Sequence, residues 1–232
     1  MARVADMVNQ VVHGRVVTAA GVVEDAVVGI RGGVIEHVGP ADGLAGRRDP
    51  ARDAPLEVGL VLPGLVDLHC HGGGGASLSS GDQDEVDRAA RHHLEHGTTS
   101  VVAGVVTDRP RAMLEGVAAA ARACDEGTVL AIHVEGPFLA RSRCGAQDPE
   151  QLRLPDPVLA AELLDAGRGH VRVMTQAPEL PGGEALVELL LERGVVPAVG
   201  HTEADAELVR RTLAATHAAL GRPGSVTHLF NA

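Results

Sequence analysis

From Leu60 onward, the sequence alternates between short apolar runs rich in β-branched residues and amphipathic stretches bounded by helix-starting and helix-ending residues. Such alternation is typical of βα units whose parallel strands are buried on both faces. Strands are predicted near residues 61–69, 98–106, 128–135, 170–176, 194–201 and 224–230. The chain is therefore expected to fold as an α/β protein with about six βα units.

Helix-bounding residues lie between these predicted strands, and they agree with the spacing of the apolar positions. In chain order they are Gly97 at the end of the first helix, Asp108 at the start of the second, Asp156 and Gly167 around the third, Gly194 at the end of the fourth, and Thr202 and Gly221 around the fifth.

Two architectures fit this order of elements, namely a closed (β/α)8 barrel and a doubly wound sheet. No Gly-x-Gly-x-x-Gly motif follows the first predicted strand, which argues against a nucleotide-binding doubly wound sheet. A barrel usually needs about 250 residues. Six strands therefore leave about two βα units unaccounted for.

Short strands are also predicted in the N-terminal region, at residues 11–17, 26–30 and 34–38. Arg31-Gly32-Gly33 predicts a hairpin turn, and residues 40–55 predict a polar loop. This region is too short to form a complete β-sandwich by itself.

The charge and cysteine content limit the classes of partner and compartment. The 31 acidic and 20 basic residues give a net charge of −11, which argues against nucleic acid or an anionic membrane as a partner. Three scattered cysteines do not make a disulfide framework. No apolar run approaches the roughly 20 residues of a membrane helix, and the N-terminus lacks a signal-peptide pattern. A cytoplasmic protein is expected.

Histidine and glutamate side chains stand at the ends of four predicted strands. His69 and His71 share one face of the first strand, because alternate side chains point the same way. Glu135, His201 and His228 end the third, fifth and sixth strands. Since the carboxyl ends of barrel strands meet at one face, these side chains are predicted to hold zinc or a similar divalent ion.

Each of these residues also has a purely structural interpretation. Glu135 could pair with an arginine, His201 could begin a helix, and His228 could be a buried, hydrogen-bonded histidine. Their coincidence at strand ends favours the metal site. His133 is expected to support a ligand rather than bind the ion, and Asp67 is expected to be a buried structural carboxylate.

Several motifs resemble those of a known family. Residues 63–72 (PGLVDLHCHG) resemble the first-strand signature of the amidohydrolase superfamily. More narrowly, residues 133–138 (HVEGPF), 200–202 (GHT) and 227–232 (THLFNA) resemble the N-acetylglucosamine-6-phosphate deacetylases, in that family's order and spacing.

The resemblance implies a metal-bearing (β/α)8 barrel of amidohydrolase type beside a small β-sandwich built from both chain ends. Residues 1–62 would be the N-terminal part of the sandwich. Residues 63–232 would be an incomplete barrel that stops before the last two strands.

The resemblance also implies an activity, a cofactor and site residues. The family removes the acetyl group of N-acetylglucosamine 6-phosphate, giving glucosamine 6-phosphate and acetate, and its full-length members are expected to be homodimers. By resemblance, the ligands of a divalent metal, expected to be zinc, are Glu135, His201 and His228, with His69 and His71 for a second ion. By resemblance, the substrate-contacting residues are Ala146, Gln147, Asn231 and Ala232.

Two departures from the family pattern affect the expected activity. Gln147 stands where relatives usually have a histidine that contacts substrate. The family's catalytic aspartate lies beyond Ala232, so no residue of this chain is expected to be catalytic and the chain alone is expected to be inactive. Two alternatives stay open: an amidohydrolase acting on another N-acyl amino sugar or a cyclic amide, and a non-catalytic metal-binding fragment.

Overall fold

The computed structural model describes residues 10–47 and 54–230 of the chain. The chain is divided into two compact units, residues 1–64 and residues 65–232. The sequence predicts this division after residue 62.

The first unit contains a four-stranded sheet with the order β3-β2-β1-β4. Its strands are β1 (Gln10–Thr18), β2 (Gly21–Arg31), β3 (Val34–Gly39) and β4 (Leu56–Val61). The first three strands pair antiparallel, and β4 pairs parallel with β1. Gly32 and Gly33 both have positive φ angles, 55° and 81°, as a tight β2–β3 hairpin turn requires. The predicted hairpin is confirmed.

The loop between β3 and β4 is less uniformly polar than predicted. Residues Ala41–Leu44 form a short 3₁₀ helix, and Leu44 is completely buried in a cluster with Val11 and Val27. The side chain of Leu44 packs against the sheet because this removes its apolar surface from water. Residues 48–53 of the predicted loop lie outside the described residues.

The second unit is built on a five-stranded parallel sheet. Its strands are β5 (Leu65–Cys70), β8 (Thr98–Val106), β9 (Ala131–Glu135), β10 (Val171–Gln176) and β11 (Val196–Val199), and a small hairpin of β6 (Gly72–Gly73) and β7 (Ala76–Ser77) follows β5. The sheet order is β5-β8-β9-β10-β11, so each strand lies beside the next one in the chain. A doubly wound sheet would reverse its order at a switch point. The second unit is therefore an incomplete (β/α)8 barrel, as predicted.

The described residues contain five α-helices, four between successive strands of this sheet and one after β11. They are α1 (Gln83–Glu95), α2 (Pro110–Asp125), α3 (Pro157–Ala166), α4 (Gly183–Glu192) and α5 (Ala206–Leu220). The carboxylates of Asp82, Asp156 and Asp205 accept hydrogen bonds from backbone N–H groups in the first turns of α1, α3 and α5.

Two predicted helix starts are wrong. The fifth helix begins at Ala206 rather than Thr202, because Asp205 is its N-cap and the hydroxyl of Thr202 is bound to Glu179. The second helix begins at Pro110 rather than Asp108, whose carboxylate accepts a hydrogen bond from the backbone N–H of Arg109.

The predicted strand at residues 61–69 is in fact two strands in two different sheets. β4 ends at Val61 in the first sheet, and β5 begins at Leu65 in the second. Pro63 in the intervening segment has no N–H to donate to a sheet ladder, so the break falls there.

The predicted strand at residues 224–230 is also wrong for most of its length. Only an isolated bridge between Val199 and Val226 forms, and the described chain then turns. His228 and Phe230 have φ angles of 57° and 67°, which are incompatible with an extended strand.

The core of the second unit is aliphatic and lies between the sheet and its helices. Its largest completely buried side chains include Ile132, Phe138, Leu163, Met174, Leu186 and Leu190. β5 is an edge strand, and its Leu65, Val66 and Leu68 are each about 60% exposed. Among the described helices, none combines the length and apolar character needed to span a membrane.

Candidate metal centre

The carboxylate of Glu135 is the centre of a cluster of histidines. Glu135 is the last residue of β9 and only 1% exposed. Its Oε1 lies 3.0 Å from Nε2 of His201 and 2.9 Å from Nε2 of His228. Its Oε2 lies 3.1 Å from Nε2 of His71, and Nε2 of His69 lies 3.5 Å from Oε1. The structure thus brings together all five residues predicted as metal ligands.

These five residues form two overlapping groups with metal-ligand spacing. One is Glu135 with His201 and His228, and the other is Glu135 with His69 and His71. In each group the candidate ligand atoms lie within 4.8 Å of one another. Oε1 faces His201 and His228 and lies 3.5 Å from His69, whereas Oε2 faces His71, so both oxygens are available to a cation.

Backbone carbonyl groups fix the orientation of two imidazole rings. His71 Nδ1 lies 3.1 Å from the carbonyl oxygen of Gly104, and His201 Nδ1 lies 2.8 Å from that of Arg143. A carbonyl oxygen can only accept, so each Nδ1 carries the proton and donates it. The Nε2 atoms then face Glu135, which is the arrangement found for histidines that bind metals.

Close backbone approach at Gly104 makes the position of His71 possible. A Cβ atom there would lie 2.7 Å from Nδ1 of His71 and 2.6 Å from the carbonyl oxygen of Cys70. Only glycine fits this position without movement of the ring or of β5.

Two of the candidate ligands have left-handed backbone conformations. The φ angles of His201 and His228 are 51° and 57°. Non-glycine residues rarely adopt this region, and such strain concentrates at functional sites. Around His201, neighbouring hydrogen bonds hold the conformation: Ala140 N–H donates to its carbonyl oxygen at 2.9 Å, and the carboxylate of Glu179 accepts from both Thr202 and Glu203.

His133 lies behind the centre and contacts one ligand. Its Nδ1 is 3.1 Å from Nδ1 of His69, and its Nε2 is 2.6 Å from the hydroxyl of Thr175, which in turn contacts Thr227 at 2.8 Å. Burial lowers the pKa of His133 to about 3, so the ring is neutral at physiological pH. The expected supporting position of His133 agrees with these contacts.

Contacts within the cluster, and burial, shift the pKa values of several of its residues. Burial acts to raise the pKa of Glu135, but hydrogen bonds from His201 and His71 outweigh it and hold that pKa well below the usual range. The hydrogen bond to Glu135 raises the pKa values of His71 and His201. Burial lowers the pKa of His69. Glu135 is therefore an anion that cations, whether protons on imidazole or a metal ion, stabilise.

Gln147 contacts the carboxylate of Glu135 directly, a feature the sequence does not predict. Its side-chain amide donates to Oε2 of Glu135 at 2.8 Å and accepts from the N–H of Thr107 at 3.0 Å. Gln147 is 9% exposed, whereas the adjacent Ala146 is exposed. The predicted substrate-contacting residues Asn231 and Ala232 lie outside the described residues.

The prediction that Asp67 is a buried carboxylate is wrong. Asp67 is only partly buried, because it lies on the edge strand β5. Its carboxylate accepts a hydrogen bond of 3.1 Å from the backbone N–H of His69.

The donor set fits a divalent cation of the zinc type. It consists of imidazole nitrogens and one buried carboxylate, which are the ligands of catalytic zinc and related ions. The donors are already at hydrogen-bond distances from one another, and burial of an anion of this kind requires a positive partner.

The cluster lies at the carboxyl ends of barrel strands, which is the face that carries the active site in (β/α)8-barrel enzymes. The amidohydrolase family model matches residues 60–227, and the chain belongs to this family.

Two relatives from distant organisms have the same name. N-acetylglucosamine-6-phosphate deacetylase of Bacillus subtilis (strain 168) is 30% identical over 227 residues, which cover 94% of this chain and 54% of that protein. The Homo sapiens protein of the same name is 32% identical over 182 residues, covering 75% of this chain and 43% of that protein.

A solved structure of a protein with the same name is also similar to this chain. The crystal structure of N-acetyl-D-glucosamine-6-phosphate deacetylase from Mycobacterium smegmatis superposes with a TM-score of 0.81 at 37% identity, over 96% of this chain and 56% of that chain. A mutant of the same enzyme was solved in complex with N-acetyl-D-glucosamine-6-phosphate. The chain spans about half the length of the relatives it matches.

Proposed function

We propose that this chain forms the metal-binding half of an enzyme that hydrolyses the acetamide of N-acetylglucosamine 6-phosphate to glucosamine 6-phosphate and acetate. The observation that carries the proposal is the convergence of His69, His71, His201 and His228 on the single buried carboxylate of Glu135. The similarity to deacetylases over 94% of the chain supports the substrate.

The proposed cofactor is zinc, with two ions sharing Glu135. His201 and His228 would hold one ion through Nε2, and His69 and His71 would hold the other. The proposal of two ions is supported by the separate directions in which the two oxygens of Glu135 point. A divalent cation held there supplies Lewis acidity, which polarises a carbonyl group and makes water a stronger acid.

The chain's own residues contribute the orientation of the ligands. The carbonyl groups of Gly104 and Arg143 hold the rings of His71 and His201 in one orientation. Gln147 keeps the carboxylate of Glu135 from rotating, because its amide can donate to Oε2 only in one position. A preorganised ligand set of this kind does not have to reorganise during the reaction.

The substrate contacts proposed for Ala146, Gln147, Asn231 and Ala232 stay predictions. Gln147 supports such a role only if it can donate one amide hydrogen to substrate while the other stays on Glu135, and an amide nitrogen has two hydrogens. The homodimer and the cytoplasmic location also stay predictions, based on the family resemblance and on the scattered cysteines.

Deacetylation by the complete reading frame that encodes this chain tests the proposal. The protein is purified from a host without its own deacetylase, loaded with zinc, and assayed for release of acetate and of a free amine from N-acetylglucosamine 6-phosphate. Zinc-dependent turnover is expected. The matched variant Glu135→Gln keeps the shape of the side chain but removes its charge, and it is expected to lose turnover and the zinc of the Glu135 centre.

Two results would overturn the proposal in different ways. A zinc-loaded, folded protein that releases no acetate from any N-acyl amino sugar would exclude the deacetylase. Preference for another N-acyl amino sugar or for a cyclic amide would keep the hydrolase and change its substrate.

A further inference from the structure

A second set of metal-binding side chains lies on the opposite side of β5 from the histidine cluster. Cys70 stands between His69 and His71 in the sequence but points towards α1, where it is 8% exposed and packs among residues of that helix. Its Sγ lies 3.1 Å from Nε2 of His93, which is on α1.

Two further oxygen donors complete this set. The carbonyl oxygen of Gly72 lies 3.1 Å from Nε2 of His93 and 3.5 Å from Sγ of Cys70. A carboxylate oxygen of Asp67 lies within 4.8 Å of both the sulfur of Cys70 and a ring nitrogen of His93. One sulfur, one imidazole nitrogen and two oxygens therefore lie close together in this part of the fold.

The separation between Sγ of Cys70 and Nε2 of His93 is close to the one that a tetrahedral ion imposes. Zinc binds sulfur at about 2.3 Å and imidazole nitrogen at about 2.0–2.1 Å, which places the two ligand atoms roughly 3.5 Å apart. The observed 3.1 Å between Sγ of Cys70 and Nε2 of His93 needs only a few tenths of an ångström of opening. This sulfur–nitrogen pair is thus nearly preorganised for a cation.

We propose that Asp67, Cys70 and His93, together with the carbonyl oxygen of Gly72, bind one thiophilic divalent cation, Zn²⁺ or Cd²⁺, at a site separate from the Glu135 centre. The two sites share no side chain. They also differ in chemistry, because the Glu135 centre offers only nitrogen and oxygen ligands whereas this site offers a thiolate, a ligand that favours soft cations.

The glycines after β5 allow the backbone to approach His93. A Cβ atom at Gly73 would lie 2.7 Å from Nε2 of His93, so any larger residue there would displace the ring from the site. Gly72 has a φ angle of 149°, and a Cβ atom there would lie 2.2 Å from the carbonyl oxygen of Ala76. The carbonyl group of Gly72 reaches the site only because both positions are glycine.

Binding of the cation replaces a proton at the sulfur. On binding, the S–H bond breaks, the proton goes to solvent, and the thiolate becomes the ligand.

Titration of the 232-residue chain with Co²⁺ tests the proposal independently of activity. A thiolate bound to Co²⁺ gives a sulfur-to-metal charge-transfer absorption in the near ultraviolet, which histidine and carboxylate ligands do not give. We expect an absorption whose intensity corresponds to one thiolate-bound Co²⁺ per chain, and its loss on addition of Zn²⁺ or Cd²⁺.

Three variants define the ligands. Cys70→Ser and His93→Gln each remove one donor and are expected to abolish the absorption. Gly73→Ala leaves every donor in the chain but pushes the ring of His93 away. This variant is therefore also expected to abolish the absorption. Circular dichroism establishes that each variant is folded.

Matched controls separate this site from other cysteines and from the Glu135 centre. Cys124→Ser and Cys144→Ser are expected to retain the absorption, as is Gly59→Ala, where a Cβ atom meets nothing within 4 Å. Glu135→Gln is also expected to retain it. Absence of the absorption in the unmodified chain, or its persistence in a folded Cys70→Ser variant, would overturn the proposal.

Discussion

Gln147 donates a hydrogen bond of 2.8 Å from its side-chain amide to Oε2 of Glu135, although the two residues come from different segments of the barrel rim. The other end of the same amide accepts from the N–H of Thr107 at 3.0 Å. Thr107 in turn donates its hydroxyl hydrogen to the carbonyl oxygen of Glu135 at 3.0 Å. Gln147 therefore links the segment that follows β8 to the carboxylate that ends β9.

We expect Gln147→Ala to lower the free energy of unfolding by about 1–3 kcal/mol, because it leaves the buried N–H of Thr107 and one oxygen of Glu135 short of a partner. Urea unfolding of the metal-free chain measures the change. The control is Gln151→Ala, which removes a partly buried glutamine from the same loop region and is expected to change stability by less than about 0.5 kcal/mol. Equal effects of the two substitutions would show that the link to Glu135 contributes nothing to stability.

Metal binding to the Glu135 centre is expected to release protons at pH 7. The hydrogen bond to Glu135 raises the pKa values of His71 and His201 above 6.5, so both rings carry more charge at pH 7 in the metal-free chain than ordinary histidines do. An ordinary histidine is about one-quarter protonated at that pH. We therefore expect each of the two rings to release more than about a quarter of a proton when a cation binds.

Calorimetric titration with Zn²⁺ in two buffers of different ionisation enthalpy measures this proton release. The release is expected to fall as the pH rises through the raised pKa values, while the affinity for Zn²⁺ is expected to fall as the pH drops below them, because protons then compete for Nε2. Cys70→Ser is the background for this experiment, since it removes the thiol proton from the count. Release of a quarter of a proton per ring or less would contradict the pKa shifts.

Much of the second unit could be predicted because its signals are local. The apolar periodicity of α1 and the capping carboxylate of Asp156 are properties of short segments. The alternation of side chains in a strand likewise places His69 and His71 on one face without any tertiary information. Histidines at strand ends then meet, because all parallel strands of one sheet end at the same edge.

Other features depend on contacts between distant segments and could not be predicted in this way. The amide of Gln147 reaches Glu135 only after the loop that carries it has folded over the end of β9. The apolar run around Pro63 looks continuous in sequence, but it is divided between two sheets. His228 sits in a turn with positive φ rather than at the end of a strand, although the sequence around it is β-branched and apolar.

Cys124 is expected to react slowly with alkylating reagents in the folded chain. Burial, with a smaller effect of Asp125, raises the pKa of its thiol to about 11. At pH 8 the thiolate fraction is then about one in a thousand, against roughly a quarter for an unperturbed cysteine. The rate of labelling by iodoacetamide, followed by mass spectrometry of the Cys124 peptide, is expected to rise roughly a hundredfold when urea unfolds the chain. Similar rates in the folded and unfolded chains would contradict the raised pKa.

Gly104→Ala is expected to remove one of the two cation positions at Glu135 and leave the other. The added Cβ atom would lie 2.7 Å from Nδ1 of His71, so the ring loses its hydrogen bond to the carbonyl oxygen of residue 104 and turns away from Oε2 of Glu135. Loss of such an orienting contact weakens metal binding about 10- to 100-fold. The ring of His201 is oriented by the carbonyl oxygen of Arg143 and not by that of Gly104. The group of Glu135, His201 and His228 is therefore expected to keep its geometry.

Zinc titration of Gly104→Ala in the Cys70→Ser background is therefore expected to show one tight site at Glu135 where the parent shows two. Overpacking at this position is also expected to lower the free energy of unfolding by about 1–3 kcal/mol, because the carbonyl oxygen of Cys70 lies only 2.6 Å from the added atom. Gly59→Ala is the control, since its Cβ atom has open space, and it is expected to keep both zinc sites. Two tight sites in a folded Gly104→Ala variant would mean that His71 does not need the Gly104 carbonyl to bind the second cation.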